Sequence, residues 1–84
     1  MSETNARILK AIAGAGEYGL YADKLSVASG VPRDKLVYRG KEMQSQGLIE
    51  MLNLTDINFR LHENVKNLLG DKASQFIAAY IKAT

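Results

Sequence analysis

Residues 31–50 read VPRDKLVYRGKEMQSQGLIE, and this stretch decides the fold. It reads as a capped amphipathic helix that runs directly into a Gly-Leu-Ile-Glu strand entry. Pro32 suits the first position of a helix, where a missing N–H costs nothing, and Asp34 in the first turn complements the helix dipole. The helix spans about residues 32–46, with Leu36, Gly40 and Met43 turned inward at i, i+4 and i+7. Gly47 ends it before Leu48 and Ile49 enter a strand. A glycine in mid-helix costs about 1 kcal/mol relative to alanine, so Gly40 predicts the close approach of another helix.

Upstream, residues 4–13 place Ile8, Leu9 and Ile12 on one helical face with Asn5, Arg7 and Lys10 elsewhere, and Gly14 and Gly16 end the pattern. A short extended piece at residues 19–21 leads into a second helix over 22–29, which holds Leu25 and Ala28 and stops at Gly30. Tyr21 precedes that helix where a serine or threonine cap would signal it better. Downstream, residues 48–52 and 57–61 flank a turn at 53–56 and predict a hairpin, with Ile57, Phe59 and Leu61 alternating against Asn58 and Arg60. Residues 63–69 and 71–83 read as closing helical segments, the second capped by Asp71 after Gly70.

The expected class is therefore α+β, mainly α with a small β-hairpin: one domain over residues 1–84, with a core at about 4–62 and a C-terminal helical extension at about 63–83. The formal net charge is only +2. That falls short of a tail-driven nucleic-acid binder, so any such contact must come from a local patch. With no cysteine, disulfides, thiolate metal sites and cysteine catalysis are excluded and the cytosol is the natural compartment. No run approaches the roughly 20 apolar residues that span a bilayer, and no membrane partner is expected.

Several motifs fail on their context. Gly14-Ala15-Gly16-Glu17-Tyr18-Gly19 has the GxGxxG form of a dinucleotide fingerprint, but it follows a helix, whereas the fingerprint needs a strand before it and a helix N-terminus after it. It reads as a helix stop and a turn. His62 is the single histidine, and neither a serine-centred nor a paired-carboxylate arrangement supports it. No enzyme activity, metal, cofactor or small-molecule ligand is expected.

The order helix, short strand, helix, turn, helix, hairpin over residues 5–62 resembles the winged helix-turn-helix superfamily of prokaryotic regulators, of the MarR-like kind. The residues that carry the likeness are Leu20, Leu25 and Gly30, then Val31 and Leu36, and the run EMQSQGLIE at 42–50. The resemblance implies a double-stranded DNA-binding regulator with the third helix in the major groove. It implies that Arg33, Asp34, Val37, Tyr38 and Lys41 lie on that helix's exposed face, with Arg33 and Tyr38 as the best candidates for base contact. Lys24, Lys35, Arg39 and Lys41 would meet phosphate.

The hairpin departs from the pattern. DNA-binding wings often carry basic residues at the tip, yet residues 48–59 contain none, while Glu50 and Asp56 are acidic. Leu52 and Leu54 near the tip suggest packing on a partner or on the C-terminal helix, or burial by the hairpin folding back. In the last helix Phe76, Ile77, Tyr80 and Ile81 form an apolar stripe that either caps the first helix or pairs with a second copy to form a homodimer. Two functions follow: the DNA-binding regulator, or a protein-interaction module in a larger complex that uses the hairpin and the C-terminal stripe. An RNA-binding reading has less support, because no aromatic stacking platform is evident.

Overall fold

Ser2 starts the first helix. In the computed structural model, which describes residues 2–16, 18–53, 55–63 and 65, α1 spans Glu3–Gly14. Ser2 lies in extended backbone and its Oγ accepts the Asn5 N–H at 3.1 Å, satisfying a donor that the first helical turn leaves open. Ile8, Leu9 and Ile12 are buried as expected. Asn5 is buried with them, which corrects its placement on the polar side: residues 5, 8, 9 and 12 form one i, i+3, i+4, i+7 row.

The second helix, α2, spans Ala22–Ser29 and buries Ala22, Leu25 and Ser29. Gly30 ends it at φ +71°, where its N–H donates to the Ser26 carbonyl. Two serines then fasten the turn: Ser26 Oγ donates to the Val31 carbonyl at 2.7 Å, and Ser29 Oγ accepts the Val31 N–H at 3.3 Å. Helix α3 spans Arg33–Ser45. Pro32 proves to be the residue before the first turn rather than its first member, because its ψ of 143° is extended. Its carbonyl still accepts the Lys35 and Leu36 N–H groups at 3.0 and 3.2 Å.

Three strands form an antiparallel sheet in the order β1 (Leu20–Tyr21), β3 (Ile57–Leu61), β2 (Ile49–Asn53). The hairpin is in the register Ile49 to Leu61 and Asn53 to Ile57, and β1 adds Leu20 to Phe59 on the other side. Gly19 lets β1 reach its partner: at φ +67° it passes so near β3 that a Cβ would fall on the Phe59 carbonyl oxygen. Phe59 and Leu61 point into the core as the alternation predicts. Asn58 does not point into solvent, since it lies between Tyr21 and Leu52 in register and accepts from Arg60 Nε at 3.0 Å.

Helix α3 buries Leu36, Gly40 and Met43 and contacts β2 as well as α1 and α2. A Cβ at Gly40 would lie 2.8 Å from both Met51 Sδ and Phe59 Cε2. The close neighbour of Gly40 is thus the sheet, not another helix as the sequence led us to expect. Among the described residues no helix is long and apolar enough to cross a membrane. The expected closing helices over 63–83 lie outside the described residues except for Glu63 and Val65, and so do Leu54, Phe76, Ile77, Tyr80 and Ile81.

Candidate nucleic-acid interface

Because α3 turns Leu36, Gly40 and Met43 into the core, helical geometry turns Asp34, Tyr38, Lys41 and Ser45 the other way, one row at i, i+4, i+7 and i+11. All four are exposed, Tyr38 to 71 %. Lys35 and, on α2, Lys24 are exposed as well, while Arg39 is half-buried on the flank. Among the described residues Lys24, Lys35, Arg39 and Lys41 take part in no ion pair. Val37 is half-buried and faces the hairpin, where with Lys41, Gln44, Met51, Asn53 and Ile57 it lines a groove of about 310 Å³.

Arg33 occupies a different environment from the rest of the expected face. Its Nη1 is paired with Asp23 Oδ1 at the start of α2, and its Nη2 bonds both carboxylate oxygens of Asp56 in the hairpin turn at 3.0 Å. One guanidinium therefore ties three elements together. Asp56 is held by a second donor, since its Oδ1 accepts the Ile57 N–H at 2.8 Å. That backbone N–H, the largest effect, holds the Asp56 carboxyl below its ordinary value against the opposing effect of desolvation, and the Arg33 guanidinium adds to the lowering. The hydrogen bond to Asp56, followed by the pairing with Asp23, raises Arg33 above the ordinary arginine value. Neither aspartate was singled out from the sequence as a partner of Arg33, for they stand 10 and 23 residues from it and no local pattern links them.

The hairpin offers little to an anion. Glu50 and Asp56 are its charged residues before Arg60, and Leu52, half-buried beside Asn58, is not a free apolar tip. At its base His62 donates its backbone N–H to the Leu48 carbonyl at 3.0 Å, with Nε2 4.0 Å from Glu50 Oε1. Gly14 is the last residue of α1, and Gly16 and Gly19, both at positive φ, lie between α1 and β1, so the glycines form a helix end and a turn. Among the described residues no three side chains of His, Cys, Asp or Glu converge as a metal ion would need.

Compared with known proteins, the chain matches no family model, and no curated protein or solved structure is detectably similar to it.

Proposed function

We propose that this is a winged-helix protein that binds double-stranded DNA, with α3 as the helix that enters the major groove and the β2–β3 hairpin as its wing. The observation that carries this reading is the outer side of α3, where Tyr38 stands 71 % exposed amid lysines that take part in no ion pair among the described residues. In the bound state Tyr38 and Asp34 face base edges, Lys24, Lys35, Arg39 and Lys41 meet phosphate, and Val37, which the sequence placed on the exposed face, stays against the hairpin. The acidic wing contributes little. On sequence grounds the stripe of Phe76, Ile77, Tyr80 and Ile81 pairs two copies on a two-fold site.

Titration of a labelled random-sequence duplex at several salt concentrations tests the reading. Four phosphate contacts per subunit predict a slope of log K against log salt near about −3.6. The K35E/K41E variant is expected to stay folded and to lose binding. No duplex binding at low salt, or binding that the variant keeps, would overturn the proposal. The groove of Val37, Met51 and Ile57 favours a second reading, a protein-interaction module, which the first of those outcomes would promote.

A further inference from the structure

We propose that Arg33 is a latch on the DNA-binding face, closed on Asp23 and Asp56 in the free protein and opened when its guanidinium passes to a backbone phosphate. The inference rests on the DNA-binding reading above and names how that face is regulated. Arginine grips carboxylate and phosphate with the same planar fork, so the two ligands compete for one group. The closed pairing sits in water: the Arg33 side chain is 51 % exposed, and those of Asp23 and Asp56 are 76 % and 33 % exposed. Exposed pairs of this kind hold weakly and exchange readily.

The geometry also says which partner moves. Asp56 keeps the Ile57 N–H when Arg33 leaves, so the turn retains its carboxylate anchor and the long arginine side chain swings. One cation and two carboxylates give the closed cluster a net charge of −1, placed at the first turn of α3 beside the face that carries Lys35 and Lys41. A phosphate that only brushes this end meets a negative cluster. A duplex seated deeply enough to reach Arg33 gains one further cation and releases one further counterion. The latch thus weakens loose, non-specific contact more than seated contact.

A mutant cycle on the full chain, read by duplex titration at several salt concentrations, tests this. Asparagine at both positions removes the charges and keeps an oxygen for the Ile57 N–H, and circular dichroism checks the fold of every variant. D23N/D56N is expected to raise duplex affinity roughly tenfold at about 50 mM salt and to steepen the salt slope by about 0.9, the signature of one more phosphate contact. In the R33Q background the same pair of substitutions is expected to leave the slope unchanged. An equal steepening with and without Arg33 would overturn the latch and leave the DNA-binding reading standing. If the natural chain shows no duplex binding at low salt, both proposals fall.

Discussion

Asn5 takes a core position with a polar side chain. It is 5 % exposed in the row of Ile8, Leu9 and Ile12, and its Oδ1 finds no hydrogen-bond partner among the described residues. A buried acceptor left unpaired costs about 1–3 kcal/mol. Leucine has a similar size, needs no partner and forms helix more readily. Asn5→Leu is therefore expected to raise stability by about 1 kcal/mol, seen as a higher urea midpoint with an unchanged slope. A lower midpoint would show that the amide makes a bond that leucine cannot replace. Arg33 teaches the complementary lesson on the surface: its residue type suits base contact, but what it does is set by the two carboxylates within its reach.

At the scale of elements, α3 and the sheet approach so closely that position 40 has no room for a methyl group. Alanine there would gain about 1 kcal/mol of helix propensity and lose about 1–3 kcal/mol to overpacking. The Met51 thioether can move aside, being unbranched and flexible. The Phe59 ring, fully buried, cannot. Gly40→Ala is expected to lower stability by about 1 kcal/mol in urea denaturation despite the better helix former, and a raised midpoint would mean that the ring shifts freely. The same closeness places Val37 against the hairpin and leaves Tyr38 on the open side, so the glycine helps to set which residues of α3 face outward.

The whole molecule turns on Phe59. It sits on the central strand between Leu20 and Met51 in register, beneath Gly40, and α1, α2 and the other two strands all contact the strand that carries it. Truncating a buried phenylalanine costs about 3–5 kcal/mol, close to the full stability of a marginal small domain. Phe59→Ala is thus expected to abolish or nearly abolish the cooperative thermal transition. A variant that melts within a few degrees of the natural chain would show that the sheet is not the centre of the core.

The sequence by itself determined the three helices, their stops and the hairpin, because each is signalled within a few residues. Leu36, Gly40 and Met43 mark the inner side of α3 by their spacing, Gly30 and Gly47 adopt positive φ where helices end, and Phe59 and Leu61 alternate into the core. The cations of α3 were legible for the same reason, since a known inner side defines the outer one. Only the tertiary structure decided that β1 joins the sheet, that Asn58 is covered on the side read as open, that Gly40 meets Phe59, and that Arg33 is bound to Asp23 and Asp56. Each of these depends on groups far apart in the chain brought together by strand register and helix packing, and periodicity carries no record of which distant partner a side chain will find.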